Sequence, residues 1–209
     1  MTTATDDFSR YLAECPLIAI IRGVRPDEVE AIGEAILSAG IRIVEVPLNS
    51  PEPLDSIERL ARRFGGEALI GAGTVLNPAD VDRVRDAGGR IIVSPSTDTD
   101  VIRRAAEQEL VSAPGFFTPS EAFTALAAGA HALKLFPAEA VSPTVVKAMK
   151  AVLPKDVPLI VVGGVKPDTM RGWLEAGANG FGLGSGLFAP GRSPAETAER
   201  ARAYVQGLR

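Results

Sequence analysis

The 209-residue sequence predicts an α/β fold: a (β/α)8 TIM barrel preceded by an extra N-terminal helix. Three observations predict it. Eight short apolar runs alternate with amphipathic stretches. Glycine or proline bounds each run. The spacing is about 24 residues, enough for one strand and one helix. A doubly wound sheet is the runner-up, and it would want fewer strands and a reversal of strand order. No linker interrupts the series, so residues 1–209 read as a single domain.

Residues 1–14 read as the extra helix, lying under the barrel floor. The apolar runs follow at 17–22, 41–48, 68–75, 90–95, 110–116, 131–137, 158–164 and 180–188. They are mostly rich in Ile, Val and Leu, as strands buried on both faces should be. A helix start follows each run. Pro26-Asp27-Glu28, Pro51-Glu52, Pro78-Ala79-Asp80 and Pro119-Ser120-Glu121 put Pro near the first helical position and acids in the first turn. Asp98-Thr99-Asp100, Ser142-Pro143, Pro167-Asp168 and Ser193-Pro194 do similar work. Helix ends repeat Ala-Gly, at Ala39-Gly40, Ala87-Gly88, Ala128-Gly129 and Ala176-Gly177. There glycine takes the left-handed conformation just past the helix.

Composition excludes whole classes of chemistry. Cys15 is the one cysteine, so no intramolecular disulfide and no thiolate metal cluster can form. His131 is the one histidine, which removes most zinc hydrolases and the aldolases that hold a metal on several His ligands. The sequence therefore offers no metal site. A net charge of −4 argues against a broad nucleic-acid surface. No apolar run approaches the roughly 20 residues that span a bilayer. The first residues, Met1 to Asp7, are polar and acidic without a signal pattern, and a cytoplasmic protein is expected.

In this fold, chemistry sits where strands end and the following loops begin. Lys134 lies inside the apolar run Ala132-Leu133-Lys134-Leu135-Phe136. If Ala132 and Phe136 face the barrel interior, alternation makes Lys134 face it too. The other parity would let it snorkel outward. Desolvation lowers an ammonium pKa, and the neutral amine is the form that attacks carbonyls. Glu45 is a second charge embedded in a β-branched run, on the opposite wall of an eight-strand ring. The pair suggests a Schiff-base lysine with a carboxylate proton shuttle. A buried salt bridge is the bland alternative, and a weak stability device. An anionic Glu45 would raise the Lys134 pKa, so desolvation or another cation must dominate. Arg22, at the end of the first run, could supply that cation and grip a carboxylate, or form a rim salt bridge. Thr74, after Gly73, offers a hydroxyl near backbone N–H donors.

Gly163-Gly164 and Gly184-Ser185-Gly186 end the last two runs, where this fold usually binds phosphate. Without side chains, backbone N–H groups can close on an anion, and Ser185 adds a hydroxyl. Tight turn geometry is the competing explanation. His131, Cys15 and Trp173 read as structural. Arg59, Arg62 and Arg63 read as a solvated helix face.

Together these strand ends resemble the 2-keto-3-deoxy-6-phosphogluconate aldolase family of class I aldolases. The matching strings are Ile20-Ile21-Arg22-Gly23, Val44-Glu45-Val46, Gly71-Ala72-Gly73-Thr74-Val75, Ala113-Pro114-Gly115, Leu133-Lys134-Leu135-Phe136-Pro137, Gly163-Gly164-Val165 and Gly184-Ser185. The resemblance implies retro-aldol cleavage of a phosphorylated keto-acid to pyruvate and glyceraldehyde 3-phosphate, by a homotrimer without a cofactor. It implies Lys134 as Schiff-base lysine and Glu45 as proton carrier. Arg22, Gly73 and Thr74 would hold the substrate carboxylate, and Gly163, Gly164, Gly184 and Ser185 the phosphate.

The gluconate-type members usually read Glu-Val-Thr-Leu-Arg-Thr after the second strand and carry Thr before Gly-Gly. Here Glu45-Val46-Pro47-Leu48-Asn49-Ser50 and Val162 stand there, similar to the 2-dehydro-3-deoxy-6-phosphogalactonate aldolases of galactonate breakdown. An apolar wall removes a hydrogen-bond partner for the C4 hydroxyl, which shifts stereochemical preference. Val162, Asn49, Pro95 and Phe136 are the expected specificity residues, and Phe116 and Phe117 are expected to narrow the pocket. The competing readings are the gluconate epimer as main substrate, a non-covalent phosphosugar isomerase or decarboxylase, and a phosphosugar-binding barrel without catalysis.

Overall fold

The computed structural model describes residues 2–209. Helix α1 (Ala4–Glu14) precedes β1 (Leu17–Ile20), and strands and helices then alternate. They are α2 (Val29–Ser38), β2 (Ile43–Pro47), α3 (Pro53–Phe64), β3 (Leu69–Gly73), α4 (Pro78–Asp86), β4 (Ile91–Val93) and α5 (Thr99–Glu107). Next come β5 (Val111–Ala113), β6 (Gly115–Phe116), α6 (Pro119–Ala127) and β7 (Leu133–Leu135). A 3-10 turn (Ala138–Ala140) leads to α7 (Pro143–Lys150), β8 (Leu159–Val162), α8 (Met170–Glu175), β9 (Gly180–Leu183) and α9 (Pro194–Gln206).

All strand pairs are parallel, in the order β5-β4-β3-β2-β1-β9-β8-β7-β6. The two edges, β5 and β6, are joined by the single residue Pro114, so the chain itself closes the ring. Eight expected strands become nine here because proline has no N–H to donate to a ladder. Pro114 still accepts from the Lys134 N–H at 2.9 Å through its carbonyl. The fold is the expected barrel, with its fifth wall split.

Alternation sorts the strand residues into two apolar layers. Leu17, Ala19, Val44, Val46, Leu133, Leu135 and Phe181 face the helices. Ile18, Ile20, Ile43, Leu69, Ile91, Val111, Ala132 and Ile160 fill the barrel interior. Phe8, Tyr11 and Leu12 of α1 join the inner layer, so this helix plugs the floor. Asp7 fastens it there, accepting from Arg90 at 2.6 Å, Arg10 at 2.7 Å and Thr2 at 2.8 Å.

The local signals map closely onto the elements. Gly40, Gly88, Gly129 and Gly177 all have positive φ, between 84° and 104°. Helices α2 and α8 start later than their Pro-Asp signals, because residues before each form a turn first: Glu28 N–H donates to Arg25 at 3.1 Å and Thr169 N–H to Lys166 at 3.0 Å. No helix among the described residues is long and apolar enough to cross a membrane.

Candidate active site

Lys134 faces the barrel interior, in step with Ala132 below and Phe136 above. Its side chain is 7% exposed and Glu45 is 1% exposed. Both line one cleft with Ile18, Ile20, Val93, Ala113, Ile160, Val162 and Gly182. The Lys134 Nζ lies 4.9 Å from the centre of the Phe136 ring, a cation–π distance. Glu45 Oε2 has no hydrogen-bond partner. A β-carbon on Gly73 would overlap the Glu45 carboxylate, so that strand end must be glycine for Glu45 to point inward.

Desolvation decides both ionisations. Burial pulls the Lys134 ammonium below its ordinary pKa; the Glu45 charge opposes this and Arg22 assists it. Burial pushes the Glu45 carboxyl up to about 7, against the pull of Lys134 and Arg22. Near neutral pH this carboxyl is therefore poised to give or take a proton, and the lysine is biased toward its nucleophilic form.

Arg22 stands above the pair, held by two neighbouring strand ends. Its Nη1 donates to Asn49 Oδ1 and to Thr74 Oγ1, the latter at 3.3 Å. The next residue, Gly23, donates its N–H to the buried Ser50 Oγ at 2.9 Å. Gly23 has φ 81°, and a β-carbon there would come 2.6 Å from Pro190 Cγ. Thr74 has φ 56°, rare for a β-branched residue and strained by about 1–3 kcal/mol. Such strain at a strand end fixes the direction of its N–H and hydroxyl.

Strands β8 and β9 are neighbours, paired at Val162 and Gly182, which brings the two glycine turns side by side. Gly163 and Gly164 have φ 118° and 63°. Gly184 opens a helical turn, its carbonyl accepting from Leu187 at 2.9 Å and Phe188 at 3.0 Å. Ser185 is exposed beside it. Pro95 packs its carbonyl against Gly115, whose own carbonyl accepts from Thr97 Oγ1 at 2.7 Å.

The expected narrowing by Phe116 and Phe117 does not occur. Phe116 is buried in the outer layer and Phe117 is 40% exposed. Strand parity explains Phe116: its neighbour Gly115 takes the inward position. His131 accepts the Ser112 N–H on Nδ1 at 3.1 Å, and burial lowers its pKa. Ser50 escaped the sequence reading, although it adjoins Asn49 at the same strand end. Its burial and its bond to Gly23 are visible only when β1 and β2 are side by side.

The comparisons agree with this geometry. Residues 9–197 match the family described as "Aldolase: KDPG and KHG aldolase". The chain is 47% identical over 200 residues to the 2-dehydro-3-deoxy-6-phosphogalactonate aldolase of Escherichia coli, covering 96% of this chain and 98% of that one. It superposes on the solved "Native KDPGal structure" with a TM-score of 0.92 at 48% identity, covering 93% of this chain and 95% of that one. It also matches the KDPG aldolase of Legionella pneumophila, solved with pyruvate captured as a covalent carbinolamine. That match has a TM-score of 0.81 at 27% identity and covers 93% of this chain and 96% of that one. A lysine and a carboxyl with displaced ionisations inside a barrel of this family fit a Schiff-base lyase, and this chain belongs to the KDPG and KHG aldolase family, whose members cleave carbon–carbon bonds.

Proposed function

We infer that the whole chain, residues 1–209, acts as one catalytic domain that cleaves 2-dehydro-3-deoxy-6-phosphogalactonate to pyruvate and glyceraldehyde 3-phosphate. The observation that carries this reading is the pairing of a desolvated Lys134 with a Glu45 carboxyl near pKa 7 in one cleft. The substrate follows from the Escherichia coli relative's name and from Val162, which gives the cleft an apolar wall.

The Lys134 amine attacks the C2 ketone to form a carbinolamine, which loses water and becomes an iminium. Glu45 carries the protons of this dehydration. It then takes the proton of the C4 hydroxyl as the C3–C4 bond breaks. The bonding pair moves into a C2–C3 double bond and neutralises the iminium, and the phosphorylated aldehyde leaves. Proton return to C3 and hydrolysis release pyruvate and free Lys134. The carbinolamine captured in the Legionella relative supports this covalent route.

Arg22, with Gly73 and Thr74, binds the substrate carboxylate, its guanidinium aimed by Asn49. Gly163, Gly164, Gly184 and Ser185 bind the phosphate. Val162, Asn49, Pro95 and Phe136 set which epimer fits. A phosphorylated substrate does not cross membranes unaided, which favours a cytoplasmic setting and a place in galactonate breakdown. Exposed Leu76, Phe117 and Phe123 (55%, 40% and 46%) favour assembly into a homotrimer.

The test joins two measurements. Borohydride with pyruvate should attach covalently to Lys134, and Lys134→Ala should lose both the label and at least ~1000-fold of kcat. Pyruvate release should favour the galactonate epimer over the gluconate epimer. Wild-type cleavage by Lys134→Ala would overturn the covalent reading.

A further inference from the structure

The Gly163-Gly164 turn has a neighbour that no role yet assigned to this protein uses. Glu139 lies on the 3-10 turn directly after Lys134's strand, and its side chain leans on both glycines. A β-carbon on Gly163 would overlap Glu139 Oε2 and come 3.0 Å from Ala138 N. A β-carbon on Gly164 would come 2.5 Å from Glu139 Cγ. The turn beneath is fixed: Ala138 is buried, and the Ala140 and Val141 N–H groups donate to Pro137 and Ala138, each at 3.2 Å. The side chain itself is exposed. Among the described residues, no ion pair or side-chain hydrogen bond engages its carboxylate.

An unpaired carboxylate thus rests against the two glycines whose bare backbone would receive the substrate phosphate. We propose that Glu139 tunes that subsite, as an anionic wall that weakens its hold on the phosphoryl group. The inference rests on the phosphate assignment made above. Like charges at close range repel, and at an exposed position water and salt moderate the repulsion without abolishing it. Backbone N–H groups and the dipole of a following turn would otherwise hold a dianion tightly. Partial cancellation by Glu139 lets the phosphorylated aldehyde leave after the carbon–carbon bond has broken, so product release is fast at the cost of ground-state affinity.

The test uses inorganic phosphate as the probe, with its dissociation constant measured on the wild type and on Glu139→Gln and Glu139→Ala. Both variants should bind phosphate about tenfold more tightly, and the gain should shrink as salt rises, because an exposed charge is screened. In turnover, KM for the phosphorylated keto-acid should fall together with kcat as release slows. Trapping of pyruvate on Lys134 reports that a variant is folded, since no phosphoryl group takes part. Equal or weaker phosphate binding by both variants, a gain insensitive to salt, or no phosphate binding by any form would overturn the proposal. Pyruvate release by the wild type separates the two levels. If it persists while phosphate affinity ignores residue 139, only this inference falls. If it is absent, the aldolase reading falls first.

Discussion

At the scale of single residues, the site is a contest between desolvation and charge. Lys134 and Glu45 would each hold the other ionised in water, but burial wins for both. This has a consequence for stability. A carboxyl whose pKa rises from 4.5 to about 7 on folding binds its proton more tightly in the folded state. Its contribution is therefore present below about pH 4.5 and is lost as pH rises through about 7. We expect Glu45→Gln to match the wild type near pH 4 and to exceed its stability by about 3 kcal/mol above pH 8. Urea unfolding at the two pH values checks this, and a gain of equal size at both would contradict it. Under the proposed aldol route the same substitution should abolish turnover, since an amide takes no proton from the C4 hydroxyl. The identities of Lys134 and Glu45 were legible as charges inside apolar runs. Thr74's positive φ was not, because it arises from the loop geometry at the end of β3.

Among elements, the joints matter more than the strands. The Asn49 and Ser50 side chains at the end of β2 bind Arg22 and Gly23 at the end of β1, so one strand end aims the cation of another. Asn49 was legible as a departure from the arginine of gluconate-type enzymes. Its partner was not, because Arg22 lies 27 residues away in sequence. Helix α1 shows the same division. The sequence reads residues 1–14 as a helix, while its docking rests on Asp7 meeting Arg90 at the start of β4. Burial would raise the Asp7 pKa, yet hydrogen bonds from Arg90, Thr2 and Arg10 outweigh it and hold it below 3.8. Arg90→Ala should cost about 1–3 kcal/mol in denaturant unfolding. It should also speed hydrogen exchange in α1 before the rest of the barrel opens. Because the Asp7 pKa is depressed, this stabilisation is present above about pH 4 and fades as acid protonates the carboxyl. Uniform exchange across the chain would show that α1 is not an independent plug.

For the whole molecule, several large apolar side chains stand exposed. Leu76 follows β3, Phe117 follows β6 and Phe123 lies on α6. If a homotrimer buries them, Phe123→Asp should shift the mass in light scattering from that of a trimer toward that of a single chain. Unchanged mass would place the interface elsewhere. Such a variant should keep Lys134 reactive toward pyruvate, because α6 does not line the cleft.

The sequence by itself determined the βα repeat and the helix ends at Ala-Gly, and it marked Lys134 and Glu45 as charges inside apolar runs. These follow from periodicity, and periodicity is local. The barrel interior that Lys134 and Glu45 share was fixed by the structure. The tertiary structure decided what locality cannot reach: closure of the ring through Pro114, the plug of α1, and the hold of Asn49 and Ser50 on β1. It also decided the ionisation of Lys134 and Glu45. A pKa depends on how much water and which charges surround a group, and those are set only when the barrel closes around it.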